Sequence, residues 1–184
     1  MKKLFLSVLF FFIIPSLFAQ ENPGKLSFKF GTGLSFHGSG DMYALSFENE
    51  LDYRISQYLS ASFALDYGKS DFGVYVNSSF IQTNANFFVS PFKNTGKHIL
   101  KLGTGISFMD VTDFMEASDR WIDGIIDRGN YTYDKRNSIG YNLIIEYEHP
   151  FSDRFLIGFK LYNQPFTNID LVTGGFAKFG IMIF

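Results

Sequence analysis

From residue 26 onward, apolar and polar positions alternate with the two-residue period of strands that show a different face to each side. In LSFKFGTGLSF, residues 26–36, Leu26, Phe28, Phe30, Thr32, Leu34 and Phe36 share one face, and Ser27, Lys29, Gly31, Gly33 and Ser35 the other. Residues 43–55 repeat the arrangement. Tyr43, Leu45, Phe47, Leu51, Tyr53 and Ile55, interrupted by Asn49, oppose Ser46, Glu48, Glu50, Asp52 and Arg54. The pattern returns at 59–67, about 75–89, 99–108, 139–148, 155–162 and in the closing FAKFGIMIF, residues 176–184.

These segments predict eight strands. An even number returns both chain ends to one side of a meander. Connections near 56–58, 91–97 and 149–153 are short, whereas those near 37–42, 68–74, 109–137 and 163–172 are longer or more variable. Short turns on one side and long loops on the other are the habit of outer-membrane barrels, with the short side facing the periplasm.

Charge decides what surrounds the barrel. Within the segments, the ionisable residues Lys29, Glu48, Glu50, Asp52, Arg54, Asp66, Lys101, Glu146, Glu148, Lys160 and Lys178 all fall on the polar face. A water-soluble barrel would wet that face and hide the rows of Phe and Tyr, overpacking an interior that in eight strands holds only side chains or one small ligand. Lipid has no such limit, and closure pairs every backbone group within it. Tyr43, Tyr53, Tyr67, Tyr141 and Tyr147 lie toward strand ends, where interfacial aromatic girdles belong. The expected fold is all-β, an eight-stranded antiparallel up-and-down transmembrane β-barrel. A secreted sandwich or lipocalin-like barrel is the competing architecture.

Composition agrees. The opening MKKLFLSVLFFFIIPSLFAQ has a basic start, an apolar middle and a small-residue exit, which predicts a cleaved signal peptide over 1–20 and a barrel domain over 21–184. Removing Lys2 and Lys3 from 16 basic and 18 acidic residues leaves 14 against 18, a net charge near −4. That balance does not point to a nucleic-acid partner. The exported chain has no cysteine, so no disulfide holds it.

On the polar face, five bases (Lys29, Arg54, Lys101, Lys160 and Lys178) meet six acids (Glu48, Glu50, Asp52, Asp66, Glu146 and Glu148). In a narrow interior such charges are expected to pair, because an unpaired one carries a heavy desolvation cost. The expected interior is a rigid plug without a wide pore, with small residues such as Gly31, Gly103 and Gly180 leaving room for long side chains. A narrow channel for small or hydrophobic solutes is the alternative.

The remaining chemistry is sparse. His37 precedes Ser39 by two residues and Asp41 follows, so a lipid-modifying hydrolase at the barrel rim is a further alternative. His98 and His149 fall at periplasmic turns, away from His37, and no cluster has metal-ligand spacing. No cofactor or metal is expected, and the protein is read as non-enzymatic. The longest predicted loop, 109–137, carries Asp119, Arg120, Trp121 and Asp123 as a contact surface for an extracellular ligand, with MEASDRWIDGII compatible with a short amphipathic helix. The two GTG repeats, 31–33 and 103–105, lie in strands and are packing glycines.

On these strands and the terminal segment, the chain from about 25 to 184 resembles the small outer-membrane β-barrel proteins of Gram-negative bacteria. It is similar to the OmpA-like transmembrane domain and to OmpX- and OmpW-like barrels, in an aromatic-rich style most like the Bacteroidota versions. The resemblance implies a monomer in outer-membrane lipid, with roles in envelope integrity, adhesion or passage of small solutes. It also implies that the barrel-assembly machinery recognises the last strand through Phe184. In the family's usual pattern the apolar residues share the parity of that final aromatic. Here that parity reads Met182, Gly180, Lys178 and Phe176, and the cleaner apolar set is Ile183, Ile181, Phe179 and Ala177. The last strand therefore either has the other register or contains a bulge.

Overall fold

Among the described residues there are ten strands, and eight of them close into a single antiparallel barrel. The computed structural model describes residues 26–37, 42–71, 76–94, 96–116, 120–122, 125–127, 131–168 and 170–183. In chain order the strands are β1 (Leu26–His37), β2 (Met42–Arg54), β3 (Leu59–Asp71), β4 (Val76–Val89), β5 (Ile99–Glu116), β6 (Arg120–Ile122), β7 (Ile125–Asp127), β8 (Tyr131–Pro150), β9 (Phe155–Pro165) and β10 (Leu171–Met182). The wall runs β1-β10-β9-β8-β5-β4-β3-β2 and returns to β1, while β6 and β7 form a separate two-stranded hairpin. Sequence neighbours pair throughout, apart from β5 with β8 across that hairpin and the closing contact of β1 with β10. The expected up-and-down barrel is the observed one. The predicted signal peptide and the terminal Phe184 lie outside the described residues.

The wall separates two chemistries. Phe63, Ile106, Leu143, Ile145 and Phe159 face outward and are roughly half exposed, while the residues between them are buried. On β3 the outward apolar row runs from Leu59 to Tyr67, on β5 from Leu100 to Phe108, and on β8 from Ile139 to Tyr147. Such rows have the length of a strand that crosses a bilayer at a tilt, about 9–11 residues. Rings stack along this surface, with Phe155 and Phe179 centred 5.7 Å apart and Phe30 and Phe47 6.4 Å apart.

Above the belt the outward face turns polar. Lys69 pairs in register with Ser79, Asp110 with Asn137, and Thr173 with Asn163. These positions mark the edge of the hydrocarbon on the long-loop side. Tyr43 and Tyr67 sit near that edge, Tyr53 and Tyr147 near the opposite one, and Tyr141 lies one outward step inside the belt.

The reading of residues 109–137 changes, and the register of the last strand is decided. Residues 109–137 are not one long loop: β5 runs on to Glu116 and β8 begins at Tyr131, paired without interruption from Ile99↔Glu148 to Glu116↔Tyr131. Between them, Arg120–Ile122 and Ile125–Asp127 pair as a hairpin, so this stretch does not form the amphipathic helix that its sequence permits. The ordered ribbon continues above the lipid because a strand pair that hydrogen-bonds itself needs no hydrocarbon to persist. In the last strand, β10 keeps one register against β1 from Ser27↔Met182 to Phe36↔Thr173, and one against β9, with no bulge. Ala177, Phe179, Ile181 and Ile183 face the lipid side.

Candidate functional site: the filled interior and the outer rim

The interior is built from the inward residue of every second position, and it is layered. Nearest the periplasmic end, four lysines and five carboxylates form one connected network. Lys29 Nζ lies 2.6 Å from Asp52 Oδ2, 2.8 Å from Glu146 Oε1 and 3.3 Å from Glu50 Oε1, and it also contacts Glu148. Lys101 binds Asp52 and, at 2.9 Å, Glu148. Lys178 binds Glu50, reaches Glu48 at 2.8 Å and Glu146 at 3.2 Å, and Lys160 binds Glu48. Lys29, Glu48, Glu50 and Glu146 are fully buried. The register explains the meeting: Lys29 is paired with Glu50 on one side and Gly180 on the other, and Glu146 with Lys101 and Lys160.

Two residues expected in this network stand apart. Arg54 is partly exposed at the periplasmic mouth and forms no ion pair among the described residues. It ends β2, where the strand leaves the wall. Asp66 is buried but meets no lysine or arginine in an ion pair among the described residues; it accepts a hydrogen bond from Asn84 Nδ2 at 2.7 Å. The cavity beside Arg54, between Asp52, Lys101 and Glu148, is about 10 Å³. That is room for one water at most.

Above the charges lies an amide layer that charge counting missed. Gln82 Nε2 donates to Asn84 Oδ1 at 2.8 Å and to Gln164 Oε1 at 2.7 Å. Asn142 Nδ2 donates to Asn86 Oδ1 at 2.5 Å, and Ser107 Oγ bridges Asn84 and Asn142. Parity places Gln82, Asn84, Asn86, Ser107 and Asn142 on the polar face, but it does not say that they bond to one another, or to Gln164 in a stretch that reads as a connection, across four strands.

A third layer is apolar. Phe80, Met109, Val111, Phe166, Val172 and Phe176 are buried inside the barrel, with Tyr162 stacked on Phe176 at 5.2 Å. Glycines make the space. A Cβ at Gly68 would sit 2.3 Å from the Phe80 ring, and one at Gly103 would sit 2.5 Å from the Phe88 ring. The glycines thus receive aromatic rings as well as the long charged side chains. The sequence signal was present in Phe80, Tyr162 and Phe176, which share the parity of the charges. Charges toward the short-turn end, amides beyond them, and rings both beside the charges (Phe88, Tyr162, Phe176) and beyond the amides (Phe80, Phe166) fill the lumen.

At the outer rim, Asp113 is buried, accepts a hydrogen bond from Ser78 Oγ at 2.6 Å and pairs with Arg136. Arg136 also lies 3.7 Å from Asp170 in the β9–β10 turn, so it ties the tall β5–β8 ribbon to the shorter strands. Of the proposed contact residues, Arg120 and Trp121 fall on β6, while Asp119 and Asp123 lie outside the described residues. His37 is buried in the barrel, edge-on to Phe80 at 5.5 Å, and Ser39 and Asp41 lie outside the described residues. At the periplasmic edge, His98 and His149 come together with ring centroids 5.1 Å apart. His149 Nδ1–H donates to the Lys97 carbonyl at 2.7 Å, and His98 Nδ1 meets Tyr147 Oη at 2.6 Å. Among the described residues, no group of three or more His, Cys, Asp or Glu is placed to hold a metal ion.

The sequence matches no family model and no curated protein. The structure matches several solved barrels. It is similar to Neisserial surface protein A at a TM-score of 0.65 and 12% identity, over 89% of this chain and 100% of that one. It is similar to Ail, the attachment invasion locus protein of Yersinia pestis, at 0.59 and 10% identity, over 87% and 98%. The N-terminal β-barrel domain of Pseudomonas aeruginosa OprF matches at 0.55 and 11% identity, over 88% and 98%. At these identities the likeness is one of fold: an eight-stranded transmembrane barrel of outer-membrane type.

Proposed function

We propose that this chain is an outer-membrane barrel that works through its shape and outer surface, and that its interior supplies rigidity. The observation that carries this reading is the division of the strands. Below the polar ring formed by Lys69, Asp110 and Asn137 the barrel is a filled cylinder in lipid; above it β5 and β8 continue as a paired ribbon that carries the β6–β7 hairpin. A long ordered ribbon above the bilayer has no role in crossing it. Two of the structurally similar barrels bear names of surface work, one an attachment invasion locus protein and one a surface protein, which supports the same reading here.

On this reading the 1–20 segment is removed on export, the final strand with Phe184 is the segment read by the barrel-assembly machinery, and the monomer sits in outer-membrane lipid of a Gram-negative cell. The aromatic-rich composition supports a Bacteroidota-type barrel. The extracellular ligand is taken by the ribbon tip around Asp119, Arg120, Trp121 and Asp123.

The test is to replace residues 117–130 with a short Gly-Ser turn. β5 and β8 keep all their wall pairs below that point, so the shortened protein is expected to remain heat-modifiable on gels as folded barrels are. Cells carrying it are expected to lose surface attachment while keeping normal resistance to detergent. Unchanged attachment together with a folded barrel would remove the ribbon tip from the function.

A further inference from the structure

The short-turn rim holds a pair of imidazoles that the plug does not use. His98 immediately precedes β5 and His149 lies at the end of β8, one step beyond the ladder pair Ile99↔Glu148. That register sets the two residues opposite each other on adjacent strands, where Cβ atoms stand about 4.5–5.5 Å apart. Both share the outward parity of Leu100 and Tyr147. Their ring centres are 5.1 Å apart and their planes 37° from each other.

Each ring is held by its inner nitrogen. His149 Nδ1 is 2.7 Å from the Lys97 carbonyl, which can only accept, so Nδ1 carries the hydrogen and Nε2 of the neutral ring keeps its lone pair. His98 Nδ1 is 2.6 Å from Tyr147 Oη, a phenol oxygen that can accept in the same way. The two contacts are crossed: His149 bonds to the chain entering β5, and His98 to a side chain of β8. Neither Nε2 has a hydrogen-bond partner among the described residues. A histidine that ligates a metal through one ring nitrogen donates its other N–H to an oxygen, which fixes the tautomer and aims the ring. Both rings have that second contact.

The spacing selects the metal. With metal–nitrogen bonds of about 2.0–2.1 Å, two imidazoles at a tetrahedral angle have centres about 5.2 Å apart, and at a square-planar right angle about 4.5 Å. The observed 5.1 Å fits the tetrahedral case, the geometry of zinc. We propose that His98 and His149 bind one Zn²⁺ through their Nε2 atoms, with water in the remaining positions. The ion ties the start of β5 to the end of β8. His98 is exposed, so the ion reaches the site directly from water. Two protein ligands make it an exchangeable ion, unlike the permanent one of a closed four-ligand site.

The mature protein without a histidine tag, folded in detergent micelles and stripped of metal with a chelator, supplies the test. Titration calorimetry with ZnCl2 is expected to show one ion per chain. Tyr147→Phe keeps both ligands and removes only the oxygen on His98 Nδ1, and it is expected to weaken binding about tenfold. His98→Gln and His149→Gln are each expected to weaken it further. All three changes lie at the rim, so the variants are expected to stay heat-modifiable on gels. Cu²⁺, used as a paramagnetic stand-in, is expected to show coupling to two imidazole nitrogens in the wild type and to one in either glutamine variant. A wild type that binds no zinc would overturn the proposal and leave the rings as a stacked pair. Zinc binding equally strong in the glutamine variants, or a wild-type Cu²⁺ signal from a single imidazole, would overturn it equally.

Discussion

Replacing Lys29 with methionine is expected to destabilise the barrel by about 3–5 kcal/mol, the cost of leaving buried charge without its partner. Lys29 contacts four carboxylates contributed by β2 and β8, the strands on opposite sides of the lumen. Without it, Glu50 and Glu146 retain Lys178, and Asp52 and Glu148 retain Lys101, but the network loses the one cation that joins the two halves. Methionine fills the volume, so the loss reports charge and not a cavity. Lys97→Met, on the exposed β4–β5 turn, is the control and is expected to change stability by less than about 0.5 kcal/mol. Urea unfolding of both proteins in lipid vesicles measures the difference. A neutral Lys29→Met would mean that the network contributes no net stability.

The second large effect is on the outside. Leu143→Arg is expected to cost about 2–4 kcal/mol, and Asn137→Arg, on the same strand and the same face but at the polar ring, about 0–1 kcal/mol. Leu143 is 53% exposed, so in a water-soluble protein an arginine there would be tolerated. Hydrocarbon inverts that outcome, because a charge at the centre of the belt must be solvated by neither water nor protein. The same vesicle-unfolding experiment reads both variants. Equal, small effects at the two sites would argue against a lipid-facing belt.

The parity of each strand was legible in the sequence because the wall separates lipid from a polar lumen, and that contrast is written at every second residue. Lys29, Glu50, Glu146 and Lys178 could be assigned to one interior from it. The contrast fades at the polar ring. Above it the outward positions become Asp110, Thr112, Lys135 and Asn137, and the inward ones include Met109 and Val111, so hydropathy no longer distinguishes a strand from a loop. That is why residues 109–116 and 131–137 read as loop while the ladder runs straight through them. The same blurring hid Asp113, which looked like one more loop acid and is instead buried against Ser78 and Arg136.

Partners inside the barrel were less legible than faces. Alternation places Asp66 inward but cannot say that Asn84, and no lysine among the described residues, reaches it, because that depends on stagger around the barrel. Counting bases and acids suggested near balance only while Arg54 was included, and Arg54 stands at the mouth. The adjacency of His98 and His149 likewise follows from the β5–β8 register, in which Ile99 pairs with Glu148, and not from spacing along the chain.

The central claim, that ring-bearing and aliphatic rows face hydrocarbon while ionised rows face a closed lumen, can be tested most directly by a tryptophan scan. The single native tryptophan, Trp121, is first replaced by phenylalanine. One tryptophan is then placed in turn at positions 139 to 147 of β8, in vesicles whose lipids carry brominated acyl chains. Strong quenching at 139, 141, 143, 145 and 147, and weak quenching at the even positions that still allow folding, is the expected result. Quenching that favours the even positions, or that fails to alternate, would contradict it.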